Sequence, residues 1–237
     1  MNKILNSVHT LKPKPASGAP NGYRVVARSK DSAEIYLYGA IGGDWYGEGV
    51  TAKQFANDLK GLGNVKTIDL RINSEGGSVF DGKAMYSLLN EHPAKIIVHV
   101  DGLAASAASF VAMAGDEIEV SEGGFFMVHN AYMVAIGDAR EMRRAADMLE
   151  TVNNTIVDVY VSRTKGSRKD IQKMMDDETW LTGAEAVKHG FADKMVENLK
   201  VAASVNHPDR FKNIPAALKP NAIRANAALS RIAALKI

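Results

Sequence analysis

A serine within a run of small residues is the first candidate for chemistry in this sequence. Ser106 lies in Asp101-Gly-Leu-Ala-Ala-Ser-Ala-Ala-Ser109, between an apolar strand pattern and an Ala-rich helix pattern. Because alanines surround it, a substrate carbonyl could approach its hydroxyl freely, and unpaired N–H groups at a helix start favour developing negative charge. The turn is similar to those that present hydrolase nucleophiles, although Gly-x-Ser-x-Gly is absent. The alternative is a tightly packed helix with two incidental serines.

His129 is the best candidate for a general base. It ends the strand pattern Phe125-Phe-Met-Val-His129, and α/β folds assemble catalytic triads from groups at neighbouring strand ends. His99 lies within an apolar strand pattern, which predicts a core residue with satisfied hydrogen bonds. The other histidines lie in the tails, a turn and a helix end: His9, His92, His189 and His207. No pair has the spacing of metal ligands, so we expect no zinc site.

Three consecutive acids are candidates for the partner of that base. Asp176, Asp177 and Glu178 precede Trp180 and a helix opened by Thr182-x-x-Glu185. Such a run is typical of a solvated helix end. Alternatively, a buried Trp180 could hold one carboxylate against Nδ1 of His129 and fix its tautomer.

Two adjacent glycines follow another strand pattern, in Asn73-Ser-Glu-Gly-Gly-Ser78. Ligands of open α/β sheets bind at this end of the strands, and glycines let backbone N–H groups approach a bound oxyanion or phosphate. The ending Gly-Lys-Ser/Thr is missing, so the turn is not a P-loop. A plain βα turn is the alternative.

The elements that must position these residues alternate between strands and helices. Apolar alternation predicts strands at 33–41, 66–72, 95–100, 117–120 and 125–128. Caps and helical periodicity predict helices at 51–60, 78–90, 106–114, 138–163 and 182–188. This order predicts an α/β domain with mainly parallel strand pairing.

Composition excludes several classes of protein. The chain has 237 residues, 46% of them hydrophobic, and no cysteine, which excludes a disulfide framework, a thiolate metal site and a cysteine nucleophile. The opening residues lack the apolar run of a secretory signal, and the apolar stretch Gly102 to Gly115 is too short to cross a bilayer. We therefore expect a soluble, intracellular protein.

Charge divides the chain into three parts. Residues 1–22 are rich in Pro and Gly with a net charge of +3, residues 23–197 carry −7, and residues 198–237 carry +6. These parts are predicted to be an N-terminal extension, one catalytic domain, and an Ala-rich tail that is flexible or binds a partner. Basic tails could contact nucleic acid or an acidic protein surface; solvated ends are the simpler interpretation.

Over residues 33–197 the sequence resembles the ClpP family of serine peptidases. Four segments carry the resemblance: the turn ending at Gly77, the run Gly102-Leu-Ala-Ala-Ser106, Phe126-Met-Val-His129, and the segment from Glu178 to Gly190. They occur in the family's order. The separations of 29 residues from Gly77 to Ser106 and 49 from His129 to Glu178 also match its register.

The resemblance implies an α/β fold with a ClpP/crotonase-like spiral of βα units and a protruding handle helix at 138–163. It implies a serine endopeptidase of the S14 type, with Ser106 as nucleophile, His129 as base and Glu178 or Asp177 as acid. The N–H groups of Gly77 and Ala107 would form the oxyanion hole. No cofactor is needed for the chemistry. Homo-oligomeric rings, heptameric or stacked in pairs, are expected, without membrane or nucleic-acid partners.

Two departures from the family pattern affect the prediction. Glu75 stands where the family usually has Pro, which predicts a looser turn, and Glu178 stands where it has Asp. Residues 137–149 are most similar to the ClpP-type head maturation proteases of tailed bacteriophages. A capsid or scaffolding protein in the host cytoplasm or prohead would then be the substrate.

Three alternatives stay open. The first is a housekeeping proteolytic subunit fed by an ATP-dependent unfoldase. The second is an acyl-CoA enzyme of the crotonase type, which would not require the Ser106, His129 and acid set. The third is an inactive assembly protein that keeps the fold.

Overall fold

The computed structural model describes residues 22–43, 49–197, 203 and 205–219. Its strands are β1 Tyr23–Ala27, β2 Ser32–Ile41, β3 Thr67–Gly77, β4 Lys95–Ala105, β5 Glu117–Ser121, β6 Phe125–Val128, β7 Thr179–Thr182 and β8 Lys194–Val196. Its α-helices are α1 Ala52–Gly61, α2 Val79–Glu91, α3 Ala107–Ala112, α4 Ala139–Arg163, α5 Arg168–Asp176 and α6 Gly183–His189, and two 3₁₀ helices follow at Pro208–Arg210 and Ala216–Leu218. The predicted N-terminal extension, apart from Gly22, and the end of the tail lie outside the described residues.

These strands form one twisted sheet in the order β1-β2-β3-β4-β5-β8. The far end of β4 also pairs with β6, which pairs in turn with β7. The pairs β2–β3, β3–β4, β4–β5, β5–β8 and β4–β6 are parallel. The pairs β1–β2 and β6–β7 are antiparallel. The predicted α/β fold with mainly parallel pairing is confirmed.

One face of the sheet builds the main core. In β3 the buried side chains of Ile68, Leu70 and Ile72 alternate with the partly exposed Asp69 and Arg71, as a half-buried strand requires. α2 and α3 pack against this apolar face and each other, and α1 packs beside α2. The parallel strands therefore end together at the edge where α2 and α3 begin.

The opposite face of the sheet is polar, and it corrects the prediction for His99. The ring of His99 is not in the apolar core but lies between two carboxylates of neighbouring strands. Its Nε2 is 2.9 Å from Asp69 and its Nδ1 is 2.9 Å from Glu119. The strand periodicity that buries Val98 and Val100 turns His99 to this face.

The long helix α4 matches the predicted handle. Asp138 and Glu141 close a capping box at its start. Its C-terminal half is packed through Ile156, Val157 and Tyr160, while its first half is exposed and includes Met148, 43% exposed. Within the part of the chain that the structure describes, none of the helices combines the length and the apolar character needed to span a bilayer.

The residues that follow the sheet also pack against the domain. We call residues 203 and 205–219 the C-terminal segment. Ala203, Val205, Phe211 and Leu218 of this segment are buried in a second, smaller core that includes Leu103, Ala105 and Met127. This part of the tail is packed against the domain. That the tail as a whole is flexible or binds a partner stays a prediction.

Candidate active site

Ser106 lies at a sharp turn between β4 and α3. Its φ of 55° and ψ of −126° lie outside the helical and strand regions, in a conformation that costs a non-glycine residue about 1–3 kcal/mol. The N–H of Ser106 donates to the carbonyl of Met127 at 2.9 Å, so strand β6 holds the turn in place. The strained turn sets the direction of the hydroxyl toward the end of β6.

The glycine pair lies directly against this turn. Gly76 has a φ of +87°, and a Cβ built on it would lie 2.5 Å from the carbonyl of Ala105 and 2.8 Å from the nitrogen of Ala107. Gly77 has a φ of +146°, and its Cβ would lie 2.1 Å from the carbonyl of Ile41. Neither position has room for a side chain, so the close approach itself requires glycine.

Two backbone N–H groups beside Ser106 are candidate oxyanion donors. The N–H of Gly76 is already used, because it donates to Oγ of Ser74 at 3.0 Å. Gly77 follows it in the same turn. Ala107 opens α3, where an N–H has no acceptor within the helix. The structure thus places the glycine turn next to the amide of Ala107.

His129 meets the serine at hydrogen-bond distance. Its Nε2 lies 2.8 Å from Oγ of Ser106, and its side chain is 10% exposed. Burial lowers the pKa of His129 below its usual value of 6.5; the nearby Glu178 carboxylate opposes this shift, and the Lys212 ammonium adds to it. The ring therefore favours its neutral form, which is the form that accepts a proton.

Each of the three consecutive acids has a different neighbour. Asp176 accepts a hydrogen bond from the Asn130 side chain at 2.7 Å, and the exposed Asp177 pairs with Lys173 at 2.6 Å. The carboxylate of Glu178 is buried, with Oε2 4.0 Å from Nδ1 of His129. This separation suits an ion pair and is longer than a hydrogen bond. Of the two candidate acids, the structure brings Glu178 to the histidine.

The C-terminal segment supplies donors to Glu178 that the sequence did not reveal. The backbone N–H of Lys212 donates to Oε2 at 3.0 Å, and that of Asn213 donates to Oε1 at 2.6 Å. Nε1 of Trp180 lies 3.4 Å from Oε1. The predicted role of Trp180 beside the acid thus has a geometric basis. An aromatic residue, Phe211, in an otherwise Ala-rich tail was the one available signal for the other donors.

Glu75, which stands where the family usually has Pro, predicted a loose glycine turn. In the structure its side chain holds the turn in place instead. Its carboxylate accepts a hydrogen bond from the N–H of Asn206 and lies 3.0 Å from Nδ1 of His207. The side chain of Glu75 is 9% exposed. The turn is therefore tied to the C-terminal segment.

Ser109, the second serine of the run, has a structural environment. It is fully buried, and its Oγ lies 2.7 Å from the carbonyl of Ser106, 3.0 Å from that of Met127 and 2.8 Å from the hydroxyl of Tyr160. These contacts join α3, β6 and α4. No substrate can reach this hydroxyl in the observed fold.

A small apolar cavity opens beside Ser106 and His129. Its volume is about 20 Å³, and its other lining residues are Val79, Ala107, Phe110, Ala131, Ile156 and Tyr160. A wider groove of about 730 Å³ lies between α4 and α5, but neither Ser106 nor His129 lines it. Among the described residues, no group of three or more His, Cys, Asp or Glu side chains could hold a metal ion.

Comparisons with known proteins identify the family and the fold of this chain. The family described as Clp protease matches residues 18–199. The chain is 27% identical over 194 residues to the ATP-dependent Clp protease proteolytic subunit 1 of Protochlamydia amoebophila, covering 80% of this chain and 92% of that protein. It is 29% identical over 144 residues to the corresponding subunit of Streptococcus sanguinis, covering 57% and 71%. A solved point mutant of ClpP1 from Listeria monocytogenes shares the fold, with a TM-score of 0.61, 21% identity, and coverage of 71% of this chain and 92% of that one.

Proposed function

Because the chain belongs to the Clp protease family, we propose that it is a serine endopeptidase of the S14 type that acts through Ser106, His129 and Glu178. The contact of 2.8 Å between Oγ of Ser106 and Nε2 of His129 carries the proposal. A nucleophile within hydrogen-bond reach of a base, itself next to a third group, is the general arrangement of covalent acyl transfer.

In the first step, Oγ of Ser106 attacks the carbonyl carbon of the scissile peptide bond. Nε2 of His129 takes the hydroxyl proton, which requires the neutral ring with its proton on Nδ1. Glu178 faces Nδ1 and stabilises both this tautomer and the imidazolium that forms. The low pKa of His129 keeps the base available below its usual titration range.

In the second step, the tetrahedral oxyanion is held by the N–H groups of Gly77 and Ala107. Each such donor is worth about 2.7–4 kcal/mol in other serine peptidases. The proton then passes from His129 to the leaving amine, and the C–N bond breaks to give an acyl-enzyme at Ser106. Water attacks this ester with His129 again as base, the C–O bond to Ser106 breaks, and the proton passes from His129 to Oγ as the acid product leaves. No cofactor takes part in this scheme.

The substrate is a polypeptide in extended conformation. Tyr132, Met133, Val134 and Ile136 follow His129 with exposed side chains, so this stretch offers an apolar surface to a bound peptide. The cavity beside Ser106 is apolar and little larger than one water molecule. We therefore infer that a small apolar side chain, such as that of Ala, precedes the cleaved bond.

A homo-oligomeric ring, heptameric or stacked in pairs, is the proposed assembly. Support comes from membership of the Clp protease family, and the exposed Met142 and Met148 in the first half of α4 are available for contacts between subunits.

Two biological roles fit a peptidase of this kind. Head maturation of a bacteriophage, with a capsid or scaffolding substrate, is supported by the resemblance of residues 137–149 and by the basic tail. The role of an ATP-dependent proteolytic subunit is supported by the names of the two bacterial relatives. Cleavage of a folded protein only in the presence of an unfoldase and ATP would identify the second role.

The activity is tested with the full chain and an unstructured protein substrate, analysed by intact mass. We expect cleavage fragments from the wild type and none from Ser106→Ala. A folded oligomer that gives no fragments would support the inactive assembly protein instead. Equal cleavage by Ser106→Ala would assign the activity to another group or a contaminant.

A further inference from the structure

We propose that the C-terminal segment, residues 203 and 205–219, positions the carboxylate of Glu178 beside His129 and is thereby part of the active-site architecture. The proposal rests on the proposed peptidase function for its catalytic consequence. The segment begins beyond residue 199, where the match to the Clp protease family ends. It thus lies outside the matched region.

The first support is the direct contact between the segment and the acid. Lys212 and Asn213 donate consecutive backbone N–H groups to the two carboxylate oxygens of Glu178. Two donors in fixed directions set the plane of a carboxylate, whereas its single contact to His129, at 4.0 Å, is too long to do so. The segment therefore orients the group that must orient the histidine.

The second support is the packing that holds the donors in place. Phe211, the residue before Lys212, lies edge-on to Trp180 with ring centroids 5.3 Å apart, and it lies 6.2 Å from the ring of His129. Leu218 and Val205 anchor the segment on either side in the smaller core. Apolar burial on both sides of the donors fixes their backbone.

The third support is the contact between the segment and the glycine turn. Asn206 and His207 bind the carboxylate of Glu75, which immediately precedes Gly76. The same segment thus contacts the turn proposed to supply an oxyanion donor and the acid at the far side of the histidine. Glu75, at a position where the resembling family usually has Pro, gains a role as its docking residue.

Besides the two N–H donors, a few side chains surround the carboxylate of Glu178 and could affect its position. His129 and Trp180 contact it from the domain, and the charged side chain of Lys212 acts on His129 from the segment. Asp177 is adjacent in the chain but pairs with Lys173. Release of the segment would remove the two N–H donors and expose the carboxylate to water.

The test uses the full chain with Phe211→Ala, which removes the anchor beside the donors, and Glu75→Ala, which removes the docking carboxylate. Phe211→Leu is the conservative variant, and Glu122→Ala is the matched control, since Glu122 is an exposed glutamate in the turn after β5. Two quantities are measured: the rate of fluorophosphonate labelling at Ser106, and hydrogen exchange of the peptide covering residues 211–214.

We expect Phe211→Ala and Glu75→Ala each to slow labelling roughly tenfold and to speed exchange at 211–214, while Phe211→Leu and Glu122→Ala stay close to the wild type. Glu178→Gln should slow labelling in the wild-type background but add little in Phe211→Ala, because both changes disable the same group. Additive losses would overturn the proposal, as would an unchanged labelling rate in a variant whose segment exchanges freely.

The two proposals can fail separately. If the wild type takes no label at Ser106, the proposed peptidase function is contradicted. The exchange experiment then still tests the contact between the C-terminal segment and Glu178. Slow exchange at 211–214 that becomes fast in Glu178→Gln would support the positioning of the carboxylate. Fast exchange in the wild type would refute it.

Discussion

Ser106 and Glu178 are the two non-glycine residues with a positive φ in the part of the chain that the structure describes, at 55° and 49°. Each lies where a regular element has just ended, Ser106 after β4 and Glu178 after α5. Their side chains meet the same histidine from opposite sides. Backbone strain of about 1–3 kcal/mol per residue is typical of functional sites, where the direction of a side chain must be fixed.

Gly76→Ala should disable the site. The new Cβ would lie 2.5 Å from the carbonyl of Ala105, so the turn must move away from Ser106 and take the oxyanion donor with it. We expect a loss of about 10²-fold or more in the labelling rate, with a stability loss of about 1–3 kcal/mol. Fluorophosphonate kinetics and thermal unfolding measure both effects.

The control for this change is Gly61→Ala at the end of α1, where a Cβ meets nothing within 4 Å. It should keep the labelling rate and gain up to about 1 kcal/mol, because alanine is the better helix former. Normal labelling by Gly76→Ala would mean that the glycine turn does not support the reaction.

Ser109→Ala should reduce stability without removing the nucleophile. It leaves the fully buried hydroxyl of Tyr160 without its serine partner, which costs about 1–3 kcal/mol. Denaturant unfolding should show this loss, and mass analysis should still find the label on Ser106. Loss of the label with unchanged stability would exchange the roles of the two serines.

The pH dependence of labelling should report the lowered pKa of His129. The base must be neutral, so the acid limb of the labelling rate should reach half its maximum below pH 6.5. Lys212→Met removes a positive charge that disfavours the imidazolium. It should therefore raise the pKa of His129 and move the limb to higher pH, whereas Glu178→Gln should move it to lower pH.

Lys219→Met is the matched control for Lys212, because Lys219 is an exposed lysine of the same segment. Its profile should coincide with that of the wild type. Both lysine variants keep their backbone N–H, so the contact to Glu178 is preserved. If the acid limb shifts equally in the two variants, the cause is the net charge of the protein and not a charge close to His129.

Enlarging the small cavity should change substrate preference. Ile156 is 7% exposed and lines the cavity beside Ser106, so Ile156→Ala should admit a larger side chain before the cleaved bond. We expect kcat/KM for a Leu peptide to rise relative to an Ala peptide by roughly tenfold, at a stability cost of about 2–5 kcal/mol. An unchanged ratio would place the specificity pocket elsewhere.

Much of the fold followed from the sequence, because hydrophobic periodicity and caps are local signals. The long helix α4 is observed with the predicted cap at Asp138 and the predicted end at Arg163. β7 and β8 were missed since strands of four and three residues form only through their partners β6 and β5. β4 continues past its predicted end at Val100 to Ala105, although these last residues are Ala-rich and have the composition of a helix. They are held as a strand by pairing with β6 and by packing against the C-terminal segment.

The short elements β1 and α5 were missed for other reasons. β1 contains Arg24 and follows a Pro- and Gly-rich stretch, so its pattern is weak without its antiparallel partner β2. In α5 the buried face consists of Ile171 and Met175 alone. Its acidic end has the composition of a candidate site instead.

The structure brings Ser106, His129 and Glu178 together, and it surrounds the acid with contacts that the sequence did not indicate. Glu178 and Asp177 are adjacent in the chain, and the choice between them depends on the turn after α5 and on the packing of Trp180. The contact from Glu75 to His207 joins residues 132 positions apart, with no local signal. Such contacts are determined by tertiary packing.

The most direct test of the account is fluorophosphonate labelling of the purified full chain, followed by intact-mass and peptide analysis, with Ser106→Ala and His129→Ala in parallel. The account predicts a single adduct on Ser106 that is absent in both variants. An adduct on another residue, or none on a folded oligomer, would contradict the assignment of Ser106 and His129 as nucleophile and base.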